Sequence, residues 1–478
     1  MIKNLIMIKT DMKEKKMNAK NSKTGLEELL QKQRAFLATG KTKDVKVRKE
    51  YLKKLKKSIK DHEEDIIEAL YSDFRKPPFE TFSSEIGTVL VELSESIKNV
   101  KKWAKVQRAA TPMSHMPGKS RVYPEPYGVV LVISPWNYPF NLAMAPVIGA
   151  LTAGNTVILK PASASPATSQ VMDKILSSVF PEEYVKVLIG DEVKHTLLDY
   201  EYDYIFFTGG PEIGRDVMSK AAKFLTPVTL ELGGKSPCII ADDADMTNTA
   251  NRIVWGKFFN CGQTCVAPDY LIMTDKVKKQ LFEEMKKAVK KRFGDNPKAS
   301  PDFARVISDK HWARLEKLLH RGNIVIGGEV DPATRYIAPT VIDNIKPEDP
   351  VMQEEIFGPI FPVITVDSMD EAIKFINSRP KPLALYIFTK SRKTAKRFMT
   401  ETTSGGGCVN DTLMHFPNGN LPFGGVGLSG MGSYHGRKSF DTFTHYKGIY
   451  HNVNWIDVPF RYAPYTKFGL KIVKLFMR

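Results

Sequence analysis

The chain predicts a doubly wound α/β architecture, on three observations. Short β-rich runs alternate with helical stretches from about residue 120 to Glu231. The alternation begins again after Glu231-Leu-Gly-Gly-Lys-Ser-Pro and runs to about residue 402. The length, 478 residues at 42% apolar and 26% charged, supplies several domains of roughly 150 residues each without disulfide or metal staples. Parallel sheets of this kind are covered on both faces and take nucleotides beyond the carboxyl ends of their strands.

In chain order, residues 1–23 carry seven lysines against two acids and read as a disordered basic leader, with Met7, Met12 or Met17 as alternative starts. Residues 25–108 read as helices. Leu52, Leu55, Ile59 and Ile66 recur near helical spacing, and Val89, Leu90, Leu93, Ile97 and Val100 mark a second helix over about 81–106. The strands expected next are Gly128–Ser134, Thr156–Lys160, Tyr184–Leu188, Tyr204–Phe207 and Val228–Glu231. Helices fall between them at about 141–153, 165–178, 191–198 and 211–224. The second block places strands near Cys238–Ala241, Tyr270–Thr274, Val363–Val366 and Leu383–Phe388, with helices between and after them. Leu421–Met431 is glycine-rich and reads as a packed loop.

The net charge of +17 is peripheral. The leader, residues 41–60 (ten basic residues, two acids) and residues 461–478 (five basic, no acid) account for all of it. A solvated helix face explains such runs most simply; attraction to an anionic membrane surface is the alternative. Nucleic-acid binding is disfavoured, because 41–60 holds one aromatic, Tyr51, where stacking needs several. Four cysteines, with no Cys-x-x-Cys pair, indicate a reducing, cytoplasmic setting. Cys261 and Cys265 have half of a zinc spacing but no partner cluster, so no metal is expected. At the end of the chain, Lys467, Lys471, Lys474 and Arg478 form one helical stripe, and Phe468, Ile472, Leu475 and Phe476 another. That amphipathic tail either packs on its own protein, lies on an anionic membrane or covers a substrate entrance.

Four segments could carry chemistry. Cys265, in Asn260-Cys-Gly-Gln-Thr-Cys, is a candidate nucleophile if its surroundings favour the thiolate; Cys238 and Cys408 read as buried hydrophobes. Glu231, flanked by leucines at a strand end, is either a desolvated general base or a carboxylate tied to a turn. Asn137, in Ser134-Pro-Trp-Asn-Tyr-Pro-Phe, can offer its amide to an oxyanion or simply suit the turn. Phe207-Thr-Gly-Gly-Pro-Glu-Ile-Gly is a strand, a glycine turn and a helix start, fit for a phosphate.

Taken in order, SPWNYPF, LKPAS, FTGGPEIG, ELGGKSP, GQTC and EEIFGP resemble the aldehyde dehydrogenase superfamily. LPFGGVGLSGMGSYHGRKSFDTFTHYK, at 421–447, is similar to the class 3 (fatty and aromatic aldehyde) branch. The resemblance implies two doubly wound domains and an arm: an NAD(P)-binding domain at 24–106 and 127–232, a catalytic domain at 233–443, and an oligomerisation arm at 107–126 and 444–460. It implies Cys265 as nucleophile, Asn137 and the Cys265 N–H as oxyanion donors, and Glu231 as the base for water. Lys160, Gly209, Gly210, Gly214, Glu355 and Phe357, with Trp136, would hold NAD or NADP. It further implies a homodimer. In the family a glutamate follows Lys-Pro-Ser; here Ser163 takes its place, which predicts space, no negative charge and acceptance of NADP. A CoA-acylating enzyme is the alternative, disfavoured by Glu231; a non-enzymatic scaffold is disfavoured by the intact Cys265, Glu231 and Asn137.

Overall fold

The computed structural model describes residues 25–191 and 196–477. The leader at 1–23 and its alternative starts lie outside the described residues, as does Arg478 of the tail stripe.

The first block forms one sheet in the order Gly430–Met431, Val228–Glu231, Tyr204–Thr208, Val129–Ile133, Thr156–Lys160, Val185–Val187. Its five longer strands run parallel. Their side chains alternate between two cores, as the pleat requires. Val130 and Val132 face the helices Val45–Asp61 and Asn141–Ala153 and join the main core, whereas Val129 and Leu131 pack with Leu26, Leu29 and Val217 on the other face. Asn141–Ala153 is buried on all sides, which suits its near-continuous apolar sequence. In Val45–Asp61, Leu52, Leu55 and Ile59 are buried and most lysines exposed, so the basic run 41–60 is largely a solvated face. Arg48 is the exception; it is buried and donates to the carbonyl of Thr152 at 3.2 Å.

The second sheet has the order Asn323–Ile326, Thr340–Asp343, Ile360–Thr365, Tyr270–Met273, Pro237–Ile240, Ala384–Phe388, Gly406–Val409. All neighbours are parallel except the first pair. Two edge strands and Thr340–Asp343 add to the four expected from sequence. The helix expected at 191–198 is replaced, over its described part, by a short 3-10 turn at Leu197–Asp199. Leu421–Met431 does not remain a loop throughout. Gly430–Met431 pairs antiparallel with Leu230 and Glu231 and closes the first sheet beside that carboxylate.

Gln107–Ala109, Lys119–Pro126 and Thr444–His451 form a separate three-stranded antiparallel sheet, with Thr444–His451 at its edge. The tail forms a helix, Lys467–Phe476, that leaves its apolar side uncovered by the described chain: Phe468 is 71% and Leu475 77% exposed. Among the described residues no helix is long and apolar enough to cross a membrane.

Candidate active site

A cleft of about 630 Å³ follows the carboxyl ends of the first sheet's strands and reaches into the second domain. Register explains its floor. Ile133 lies opposite both Lys160 and Phe207, and Thr208 opposite Glu231, so the residues after these positions leave the sheet at one level. Trp136, Asn137, Gly209, Gly210, Glu231, Cys265, Glu355 and Phe357 all line this cleft. Sequence reading assembled those eight from five separate segments.

Cys265 stands where the cleft meets a second, smaller cavity of about 250 Å³. That pocket is walled by Tyr138, Leu142, Trp255, Phe259 and Phe416, with Ser83, Ser84 and Thr88 at one side. The loop ahead of the thiol is unusual. Asn260 (φ 54°), Cys261 (φ 55°) and Gly262 (φ 71°) are left-handed in succession, a conformation only glycine adopts freely. The loop is held by buried side chains. Asn260 Nδ2 donates to the carbonyls of Asn137 (2.9 Å) and Gln263 (3.1 Å). Gln263 Nε2 donates to the Arg305 carbonyl at 3.0 Å, and its Oε1 accepts the Ile307 N–H at 2.9 Å. Asn137 Nδ2 donates to the Gln263 carbonyl at 3.0 Å, which uses one of its two amide hydrogens.

Burial dominates the electrostatics. It pushes the Cys265 thiol up, with Glu355 and Glu231 adding to the effect; the N–H groups of Cys265 and Val266 pull the other way. Cys261 is wholly buried and lines neither the cleft nor the smaller pocket, so access and not acidity separates it from Cys265 as a nucleophile. Glu231 is 2% exposed, its carboxyl is raised well above the usual range by burial alone, and neither oxygen has a protein partner. The tied-to-a-turn alternative for Glu231 therefore fails. A buried carboxylate with two open oxygens is the arrangement a general base for water requires.

The far side of the cleft tests the fit to a dinucleotide. Gly209 and Gly210 precede the helix Pro211–Ala221, which has no side-chain cap, so its first N–H groups face the cleft unclaimed by side chains. A Cβ on Gly210 would meet nothing within 4 Å. The space is therefore kept open toward the cleft rather than filled by protein. Glu355 accepts the N–H of Gly234, and burial raises its carboxyl to about 8. A Cβ on Gly233 would come 1.9 Å from Glu355 Oε2, so that glycine is needed for the carboxyl to sit there. The Phe357 ring meets the Trp136 indole edge-on at 5.3 Å. The residues fit a dinucleotide cofactor.

Three cofactor expectations change on inspection. Gly214 lies within the helix against Leu232, where a Cβ would stand 2.8 Å from a leucine methyl; its small size serves packing. Lys160 is buried at the neighbouring strand end and donates to the Pro161 carbonyl at 2.9 Å; neither it nor Ser163 lines the cleft. The expectation of no negative charge at Ser163 is incorrect: its hydroxyl donates to the Asp191 carboxylate at 2.6 Å. Asp191 arrives from the segment that follows the next strand, Val185–Val187, and sequence distance hid it. His311 and Arg314 also line the cleft and were missed, as was the buried Lys235–Asp269 ion pair. Asp269 Oδ1 accepts the Ile356 N–H at 3.0 Å and so fixes the Glu355–Phe357 turn.

Fold and site together define a nucleotide-binding α/β enzyme with a cysteine between a polar cleft and an apolar pocket. Residues 16–449 match the sequence profile of the Aldehyde dehydrogenase family. The chain is 45% identical over 448 residues to 4,4′-diaponeurosporen-aldehyde dehydrogenase of Staphylococcus aureus, spanning 93% of this chain and 97% of that one. It is 46% identical over 412 residues to aldehyde dehydrogenase family 3 member A2 of Pongo abelii, spanning 86% and 85%. A solved substrate-bound state of Staphylococcus aureus AldH superposes with a TM-score of 0.93 at 44% identity, covering 95% and 99%. The NAD-dependent aldehyde dehydrogenase of Sinorhizobium meliloti superposes at 0.82 with 26% identity, covering 91% and 88%. The chain belongs to the aldehyde dehydrogenase family, in its class 3 branch. It is an oxidoreductase that converts aldehydes to carboxylic acids with a nicotinamide dinucleotide.

Proposed function

We propose that this enzyme oxidises apolar aldehydes, medium- to long-chain aliphatic or aromatic, through a covalent thioester on Cys265. The observation that carries the reading is the position of Cys265 between the polar cleft and the ring-walled pocket. An aldehyde seated against Trp255, Phe259 and Phe416 presents its carbonyl carbon to the thiol. The thiol gives up its proton to water as its sulfur bonds to the carbonyl carbon, and the resulting thiohemiacetal oxyanion is held by the second Nδ2 hydrogen of Asn137 and the N–H of Cys265. NAD(P)+ supplies the hydride acceptor, leaving a thioester. Glu231 then takes a proton from water as that water adds to the thioester carbon, and the acid leaves as the thiol re-forms.

Gly209, Gly210, Glu355 and Phe357, with Trp136 packed on Phe357, are the residues we assign to the cofactor. We assign the Asp191 carboxylate, in the segment after Val185–Val187 and bonded to Ser163, to favouring NAD: neither residue lines the cleft itself, but an acid just past a nucleotide-binding strand can accept from a ribose 2′-hydroxyl and repel a 2′-phosphate. The antiparallel sheet at 107–126 and 444–451 is the proposed dimer arm. The outer edge of Thr444–His451 has no strand partner among the described residues and offers pairing to a second copy. The tail is assigned to an anionic membrane surface: exposed Phe468, Leu475 and Phe476 lie on a helix that also carries Lys467, Lys471 and Lys474.

Reduced-nicotinamide formation across a chain-length series of aldehydes, with C265A as control, tests the reading. Acid should form without CoA, and C265A should abolish turnover. Turnover that survives C265A, or that requires CoA, overturns it.

A further inference from the structure

The helical segment ahead of the first sheet carries a group of buried charges that the reaction above does not use. Lys76, Glu80 and Glu85 are all buried. Lys76 Nζ pairs with Glu85 Oε1 at 2.6 Å, with both side chains at 0% exposure, and its ammonium sits 3.9 Å from the centroid of the Tyr138 ring. A buried ammonium and two carboxylates are costly to desolvate and weak evidence of stabilisation, so their arrangement calls for another explanation.

The partners supply one, since each group reaches a different half of the oxyanion site. Glu85 Oε2 accepts the N–H of Asn141 at 2.8 Å, fixing the chain that follows Asn137. Glu80 Oε2 accepts the N–H of Asn260 at 2.9 Å, fixing the left-handed loop that leads to Cys265. The Tyr138 hydroxyl, on the ring that Lys76 faces, shares a hydrogen bond of 2.6 Å with Thr264 Oγ1, next to the nucleophile. The segment is also locally irregular. A short α-turn, Pro78–Thr81, runs into a five-residue π-helical turn, Phe82–Ile86, a form often found at functional sites. Residues five apart diverge by roughly 140° on a regular α-helix. The widened turn lets Glu80 and Glu85 both face inward. Within the same turn, Ser83 and Ser84 line the smaller pocket.

We propose that Glu80 is a positioning residue for the oxyanion site: its carboxylate holds the Asn260 N–H and thereby keeps the Asn137 amide and the Cys265 N–H aimed at one point. Lys76 and Glu85 form the matching brace on the Asn137 side. The inference rests on the reading of Asn137 and Cys265 as the oxyanion pair. Glu80 touches neither substrate nor cofactor. It acts through Asn260, whose side chain in turn holds the Asn137 carbonyl. Strained backbone of this kind persists only where surrounding groups over-determine it.

The function required of Glu80 is a hydrogen-bond acceptor at a set reach, which separates this role from a charge that merely stabilises the fold. Three full-length variants separate the two: E80Q keeps an acceptor at full length, E80D keeps the charge but is one methylene short, and E80A has neither. We expect E80Q to keep kcat within about threefold of the native enzyme, and E80D and E80A to lose about 10–100-fold, in line with a displaced oxyanion donor. KM for aldehyde and NAD should stay within about threefold in all three, and iodoacetamide should still alkylate Cys265 without cofactor. The order E80D above E80Q overturns the proposal, as does native turnover by E80A. If E80A does not fold, the E80Q and E80D order alone decides. N137A guards the underlying reading. Native turnover by N137A removes the oxyanion assignment itself, whereas a loss of about 100-fold there with native-like E80D removes only the role of Glu80.

Discussion

The cleft on one side of Cys265 is about 630 Å³ and sets carboxylates, basic residues and glycines among apolar walls such as Trp136, Ile213 and Phe357; the pocket on the other is about 250 Å³, walled by rings and aliphatic side chains with a few hydroxyls and no charged group. The two meet at one sulfur. On the cleft side, recognition is by charge and hydrogen-bond geometry, where a single misplaced group costs a great deal. On the pocket side it is by buried area, which is graded and tolerant. On the proposed function, the same thiol would serve a cofactor whose identity is sharply specified and an aldehyde for which a range of chain lengths is acceptable.

The largest effect that would test this division lies on the cleft side. E231Q removes the base while leaving a side chain of the same shape. We expect a first turnover of reduced nicotinamide at close to the native rate, followed by steady-state turnover at least about 100-fold slower, measured by rapid mixing. The sign of the pH dependence follows from burial. Glu231 is raised well above the usual carboxylate range, so at low pH it is protonated and cannot accept from water. Steady-state turnover should rise with pH well beyond the ordinary carboxylate range, and the Glu231 contribution to that rise should be absent from E231Q. An E231Q enzyme with native steady-state turnover would end the assignment.

A smaller change on the same side concerns the nucleotide. D191N removes the charge that Ser163 contacts. The ratio of NADP to NAD in kcat/KM should increase about tenfold, the effect of one charge-assisted contact. Calorimetric titration should show a parallel gain for adenosine 2′,5′-bisphosphate over AMP. An unchanged ratio would mean that the ribose lies elsewhere.

The pocket side should respond in steps. Each added methylene buries about 0.8 kcal/mol, so kcat/KM should climb about fourfold per carbon along an aldehyde series until the pocket is full. W255A should flatten the slope while leaving the NAD dependence in place. A flat series in the native enzyme would show that the rings beside Cys265 do not hold the chain.

The two sides also differ in how far sequence exposed them. The sheet strands were legible because Val129–Ile133 and Val157–Leu159 are continuous apolar runs with Gly128 and Gly154 ahead of them. The cleft residues were legible because strand-end motifs report local backbone, and a shared sheet brings their ends together. Asp191 was not, because its relation to Ser163 spans 28 residues and depends on strand adjacency. The Glu80 contact to Asn260 spans 180 residues and depends on a π-turn that no periodicity reveals. The edge strand Asn323–Ile326 was missed because its apolar run is only Ile324–Ile326 and the strand is exposed or half-buried throughout, so burial did not lengthen it into the run of a central strand. Pocket walls drawn from residues 83–88, 255–266 and 413–417 have no local signature in common, which is why the pocket was the less legible side.

The smallest effect on turnover is expected from the tail, and it bears on how an apolar substrate reaches the pocket. Phe468, Leu475 and Phe476 are exposed on Lys467–Phe476 and line neither the cleft nor the pocket. Truncation to residues 1–460 should leave kcat/KM for a short aldehyde within about twofold. Binding to vesicles containing anionic lipid should respond much more strongly. Of the five basic residues removed, the three lysines of Lys467–Phe476 alone, at about 1 kcal/mol each near such a surface, correspond to roughly a 100-fold loss of partitioning, before Arg461, Arg478 and the apolar side chains are counted. Long-chain aldehydes held in those vesicles should then be oxidised faster by the full chain than by the truncated one, with no such difference in detergent micelles of neutral charge. Equal vesicle binding by both forms would remove the tail from the delivery of substrate and leave chain-length selection to the pocket alone.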